Sequence, residues 1–204
     1  MKISTEIGSL GKLVGLEKAI EYVAKAGFDH WDFSLTGIIN VVAWKDREMT
    51  KPVYEYRVPE LRGDNYLKYA RRLKQIGLDN GITCNQSHAP FPIRLPEIKS
   101  YIKRAIECTA EAGGKICVIH PDNDKSPEEN AEMYLELLPF AKEHGVKIAT
   151  ENMWNWDNEK GHSSFAACAT PESFNAHLDA VNDEYFVACL DIGHAEMKGS
   201  DTNV

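Results

Sequence analysis

The 204-residue sequence contains no apolar run approaching the ~20 residues of a membrane span. Its opening, MKISTEIGSLGK, has no apolar stretch of the kind a secretory signal carries, so a cytoplasmic protein is expected. Positive charge is in deficit: 23 Lys and Arg stand against 31 Asp and Glu, leaving a net charge of −8. That balance removes any global attraction to phosphate backbones or anionic lipid, and neither nucleic acid nor membrane is expected as a partner. Paired thiols are missing too. The five cysteines (Cys84, Cys108, Cys117, Cys168 and Cys189) form no CxxC, and most lie inside apolar runs, where a reduced Cys packs as a small hydrophobe. The glycines of IGSLGKLVG, after the first strand, have the wrong spacing for a dinucleotide fingerprint. Neither GxxxxGK[ST] nor GxSxG occurs.

What is present is ordinary in bulk, 43% hydrophobic and 26% charged, as in one soluble globular domain. Two periodicities alternate along it. Strands are expected at 2–7, 30–35, 82–89, 115–121, 146–152 and 186–194, with helical patterns at 15–27, 64–81, 95–114, 126–145 and 170–183. Ser126, Pro127 and Glu129 spell a capping box with a first-turn proline, and Thr170 and Pro171 repeat the opening. The last three strands are nearly continuous apolar runs, as parallel strands covered on both faces read. The class is therefore α/β with a parallel sheet, and no domain boundary or repeat interrupts it. One stretch, 36–63, breaks the rhythm. It is long, aromatic and interrupted by Pro52 and Pro59, and is expected to cover a site.

A polar or ionisable residue recurs at the C-terminal end of each strand: Glu6, Asp32, His88, His120, Glu151 with Asn152, then Asp191 with His194. In a (β/α)8 barrel these positions converge on one mouth, whereas in an open twisted sheet they would spread along an edge. A TIM barrel is expected. Glu151 follows the apolar run VKIAT, and an acid buried there needs a metal or a cation beside it. Trp154 and Trp156 offer flat faces, either to the apolar side of a sugar ring or to core packing. His30, His144, His162 and His177 are assigned no role and are read as solvated.

Through AGFDHWDFS, SHAPF, VIHP, TENMWNWD and LDIGH the sequence resembles the xylose isomerase-like barrel superfamily of sugar phosphate isomerases and epimerases. The resemblance implies a divalent metal (Mn²⁺, Mg²⁺ or Co²⁺, with Zn²⁺ less favoured) held by Glu151 and Asp191. It makes Glu151 also the general base and His194 a catalytic group contacting substrate or lying near the metal. His88, His120, Asp157, Trp154 and Glu6 would bind a small sugar or sugar-like substrate, although WNWDNEKGH around Asp157 also reads as a plain polar loop.

The implied activity is isomerisation or epimerisation of a ketose or polyol-derived ketone through an enediolate, a step in carbohydrate metabolism. The alternatives are a phosphodiesterase of the apurinic-endonuclease type with zinc on His88, His120, Glu151 and Asp191, or a barrel fragment without activity. Barrels of this kind run to about 250 residues. The chain is therefore expected to form a single domain, 1–204, of about six βα units that lacks the last two strands. Its unpaired edges would favour a homo-oligomer.

Overall fold

The apolar runs pair in the order in which they occur along the chain. The computed structural model describes residues 1–38, 40–41, 54–55, 58–61, 63–95 and 97–197. Its strands are β1 (Ser4–Glu6), β2 (His30–Ser34), β3 (Asn40–Val41), β4 (Tyr54–Glu55), β5 (Thr83–His88), β6 (Ile116–Val118), β7 (Lys147–Glu151), β8 (Trp154–Asp157), β9 (His162–Phe165) and β10 (Phe186–Cys189). Its helices are α1 (Gly8–Val14), α2 (Leu16–Lys25), α3 (Tyr66–Asp79), α4 (Ile98–Ala112), α5 (Pro127–Glu143), α6 (Pro171–Val181) and α7 (Ile192–Met197).

β1, β2, β5, β6, β7 and β10 form one six-stranded sheet in that spatial order, every pairing parallel. A doubly wound sheet reverses its strand order partway across. This one never does, and the arrangement is a partial TIM barrel. Because all six strands run the same way, their C-terminal ends share one rim. The register sets Glu6 beside Asp32, His88 beside Val118 and Glu151 beside Cys189.

The helices form where expected because their buried positions repeat at the helical period. Leu16, Ala19, Ile20 and Val23 of α2 face the sheet, as do Ile98, Ile102, Ala105, Ile106 and Thr109 of α4. Burying an Ile or Leu at these positions contributes about 1.5–3 kcal/mol each. Ser126 and Glu129 close the capping box on α5, and Thr170 caps α6 through the amide of Ser173. The core joins these faces to the helix-facing side of the strands, with Trp31 against Phe33 and Tyr134 against Phe186. Cys84, Cys108, Cys117 and Cys168 are buried free thiols. Among the described residues no helix is long and apolar enough to cross a membrane.

The structure departs from the sequence pattern in several places. The sixth strand ends at Cys189, and His194 belongs to the short helix α7. β10 is not covered on both faces: it lies at the sheet edge and Ala188 is exposed. GSLGKLV forms α1, which its two glycines hide in the sequence. Gly8 is required there, because a Cβ would sit 2.7 Å from the Ser34 side chain and 2.9 Å from Glu6 Oε2. Residues 154–165 form an antiparallel hairpin, β8–β9, pairing Trp154 with Phe165 and Asp157 with His162.

His177 is not solvated but 2% exposed, and His30 begins β2. The Nδ1–H of His177 donates to the Ser173 carbonyl, so Nε2 accepts from the Asn130 amide. Of the segment 36–63, two turns (Thr36–Ile38 and Pro59–Leu61) and the antiparallel pair β3–β4 are seen. Most of the expected cover lies outside the described residues.

Candidate metal centre

Four adjacent strand ends bring acids and imidazoles together. Glu151 closes β7 and is 3% exposed. His88 closes β5, His120 follows β6, and Asp191 and His194 follow β10. His88, His120 and Glu151 offer ligand atoms that lie within 4.8 Å of one another, and so do Glu151, Asp191 and His194. Glu151 belongs to both groups.

The distances are short. Glu151 Oε2 lies 2.9 Å from His120 Nε2 and 3.5 Å from His88 Nε2, and the two imidazole nitrogens are 2.6 Å apart. The His120 ring stacks on Phe91 at 4.8 Å between centroids. Burial, reinforced by the neighbouring His120, pushes the His88 pKa down to about 4, so His88 is uncharged at neutral pH. In that form an imidazole offers a lone pair rather than a charge.

On the other side of Glu151, the Nδ1–H of His194 donates to the Asn152 carbonyl at 2.8 Å, because a carbonyl can only accept. Nε2 therefore carries the lone pair, and it lies 3.7 Å from Asp191 Oδ2. Asp191 Oδ1 accepts from the His194 amide at 2.8 Å. A backbone carbonyl orienting one ring nitrogen so that the other is free is the support a metal-ligating histidine ordinarily has.

Whether these residues fit a divalent cation is tested by Glu151 itself. Its Oε2 is buried and accepts no hydrogen bond, despite the two imidazole nitrogens close to it. A buried, under-satisfied carboxylate costs several kcal/mol unless a cation compensates it. Its ion-pair contacts are the two imidazoles, and His88 is held neutral. Carboxylate oxygen and neutral imidazole nitrogen together form a donor set suited to a divalent transition metal.

The other expected site residues are placed apart from this group. Trp154, on β8, presents its ring to His194 with centroids 6.3 Å apart. Asp157, at the far end of β8, accepts from the amides of Glu159 and Lys160 at 3.0 and 3.1 Å, organising the hairpin turn. Trp156 is 53% exposed. Glu6 accepts from the amides of Gly8 and Ser9 and, with Asp32 and His88, lines a cavity of about 370 Å³. Asn152 and Phe91 hold site residues in place yet carried no assigned role in the sequence. Their signals were an amide directly after the acid of TENMWNWD and an aromatic in SHAPF.

Strand order, ligand geometry and sequence converge: the chain belongs to the xylose isomerase-like TIM barrel family, whose model matches residues 20–204. Among solved structures it is similar to a D-tagatose 3-epimerase-like protein (20% identity, TM-score 0.65, covering 96% of this chain and 66% of that one). It is similar also to a sugar phosphate isomerase/epimerase from Parabacteroides distasonis (18%, TM-score 0.56, covering 98% and 68%). A third is the probable 3-DHS dehydratase AsbF from Bacillus anthracis (12%, TM-score 0.67, covering 98% and 66%). No curated protein matches the sequence. At these identities the likeness shows the fold, and the chain spans about two thirds of the length of these structures.

Proposed function

We propose that the protein is a divalent-metal-dependent isomerase or epimerase acting on a ketose or a related small hydroxy-carbonyl compound. The proposal rests on Glu151, a buried carboxylate with an unsatisfied oxygen, set among Asp191, His194, His88 and His120 at the rim of a family barrel. Glu151, Asp191 and His194 would hold the ion, with His88 and His120 facing it from the other side. Oxygen and imidazole donors together suit Mn²⁺ or Co²⁺ better than Mg²⁺, which takes oxygen. When bound, such an ion supplies Lewis-acid polarisation of a carbonyl and its neighbouring hydroxyl.

The remaining chemistry belongs to the chain. Glu151 is the general base: it sits in a site of low water access and takes the proton from the carbon beside the carbonyl, leaving an enediolate. Returning that proton to the adjacent carbon isomerises the substrate. Epimerisation instead returns a proton to the same carbon from the opposite face, where a water or a second acid would supply it while Glu151 keeps the one it took. His88, uncharged, donates or accepts one hydrogen bond to a substrate hydroxyl and adds no positive charge. His194 is fixed through Asn152, so its Nε2 reaches the metal or a substrate oxygen without reorienting.

The His88–His120–Glu151 group is also the set on which a zinc phosphodiesterase would be built. The net charge of −8 opposes a phosphate backbone and weighs against that activity. Thermal unfolding with added Mn²⁺ tests the proposal. A metal that binds only the folded state raises the melting temperature with concentration. The shift is expected in the wild type and is expected to be lost in Glu151→Gln and Asp191→Asn. No shift in the wild type, or one that both variants retain, overturns the assignment.

A further inference from the structure

The cavity of about 370 Å³ lies beside the candidate metal centre, at the C-terminal ends of β1, β2 and β5. His88 belongs to both, so a molecule whose one end meets Glu151 has its other end here. Neighbouring strands are about 4.8 Å apart, so a cavity spanning three strand ends extends for roughly 10 Å. That accommodates the tail of a five- or six-carbon open chain, and the volume lies within the small-molecule range.

The walls are built to meet hydroxyl groups. Glu6 Oε2 accepts at 2.6 Å from the Gly8 amide and at 3.2 Å from the Ser9 amide, which also reaches Oε1 at 2.9 Å, and Oε1 keeps a further lone pair for a hydroxyl. Asp32 accepts from Ser4 Oγ and, at a long 3.4 Å, from Gln86 Nε2. Ser34 Oγ lies 3.1 Å from Thr36 Oγ1, two hydroxyls that both donate and accept.

The same walls repel a phosphoryl group. Among the described residues the cavity carries two carboxylates against the single cation of Lys12. The peptide N–H groups that could have met phosphate oxygens, those of Gly8 and Ser9, are already occupied by Glu6. Glu6 thus stands where an anionic ligand group would have to be.

We propose that this cavity takes the polyhydroxy tail of an unphosphorylated ketose, and that Glu6, with Asp32, is the residue that excludes the terminal phosphate of the corresponding sugar phosphate. The inference rests on the metal-dependent isomerase reading of the adjoining site.

The test is binding to the Mn²⁺-loaded 204-residue chain of D-fructose and of D-fructose 6-phosphate, followed by paramagnetic broadening of the ligand protons. The free ketose is expected to bind at least about tenfold tighter, because like charges juxtaposed in a binding site are strongly disfavoured. In Glu6→Gln the ratio is expected to narrow by about tenfold, since one of the two repelling charges is gone. Asp32→Asn, which leaves the Gly8 and Ser9 contacts of Glu6 in place, should narrow the ratio as well.

Equal or tighter binding of the phosphate by the wild type overturns the inference, and so does a ratio that neither variant moves. If Mn²⁺ raises the melting temperature but neither sugar broadens, the cavity is not a sugar subsite and the metal assignment stands. If Mn²⁺ has no effect on unfolding, the metal assignment fails and this inference falls with it.

Discussion

The Asn152 carboxamide binds the backbone of Asp191 at both ends, donating to its carbonyl at 2.8 Å and accepting from its amide at 2.7 Å. Asn152 is 4% exposed, and its own carbonyl accepts from His194 Nδ1. One residue just past β7 therefore sets the position of Asp191 and the ring orientation of His194, although both follow the neighbouring strand β10, His194 on α7. The geometry of the second candidate group is thus set from the end of β7, not from the turn and helix that carry Asp191 and His194.

Replacing Asn152 with Ala removes both side-chain bonds and leaves the Asp191 amide without its partner, while the Asp191 carbonyl keeps the bond from the Ala195 amide. Stability is expected to fall by about 1–3 kcal/mol. Metal affinity is expected to fall about 10–100-fold, as for other residues that orient ligands without touching the ion. Urea unfolding and Mn²⁺ titration read the two effects separately. Unchanged Mn²⁺ affinity would show that Asp191 and His194 hold their places without Asn152.

A glycine inside a helix usually invites stabilisation by Ala, worth up to about 1 kcal/mol. Gly77 of α3 should do the opposite. A Cβ there would lie 2.7 Å from the Trp31 indole nitrogen and 2.9 Å from the Ile82 carbonyl, and Trp31 is fully buried. Gly77→Ala is expected to destabilise by about 1–3 kcal/mol, the usual cost of overpacking a core. A melting temperature at or above that of the wild type would show that α3 can shift away from β2.

The strands and long helices were legible because burial writes a period into them. Ile98, Ile102, Ala105 and Ile106 repeat at helical spacing, and Ile148, Ala149 and Thr150 before Glu151 are buried on both faces. His120, Glu151 and Asp191 were legible for the same reason, each closing a largely apolar run, whereas His88 closes the polar stretch TCNQS. What escaped was structure set by partners distant in sequence. The helix α1 follows from Glu6 binding the amides of Gly8 and Ser9 against two unfavourable glycines. The β8–β9 hairpin follows from cross-strand pairing around a turn at Gly161, whose φ is +70°. His177 looked solvated because its partner, Asn130, lies on another helix.

Tyr134 of α5 joins the strand ends that carry His120 and Glu151. Its hydroxyl, fully buried, bonds the Ile119 carbonyl at 2.9 Å and Thr150 Oγ1 at 3.1 Å, one residue before each candidate ligand. Tyr134→Phe keeps the ring against Phe186 and deletes only the hydroxyl. A stability loss of about 0.5–1.5 kcal/mol is expected, the net worth of a hydrogen bond. A weaker Mn²⁺ response is expected with it, because β6 and β7 lose a shared anchor. Loss of stability with full metal affinity would confine Tyr134 to the core.

Burial holds the Asp32 carboxyl above its ordinary value of 3.8, against the opposing effects of hydrogen bonds from Ser4, Asn85 and Gln86 and the charge of His30. A carboxyl whose folded pKa exceeds its unfolded one binds its proton more tightly in the fold. The native state is therefore favoured while Asp32 is protonated, and loses stability as pH rises from 3.8 through the folded value. The penalty persists undiminished at neutral pH. Asp32→Asn is neutral at every pH and keeps an oxygen to accept from Ser4. The variant is expected to be more stable than the wild type at pH 7, with the gap closing as pH falls toward 3.8. Urea titrations followed by circular dichroism across that range measure it. A gap that does not change with pH, or a variant less stable at pH 7, would show that the hydrogen bonds to the charged carboxylate outweigh its burial.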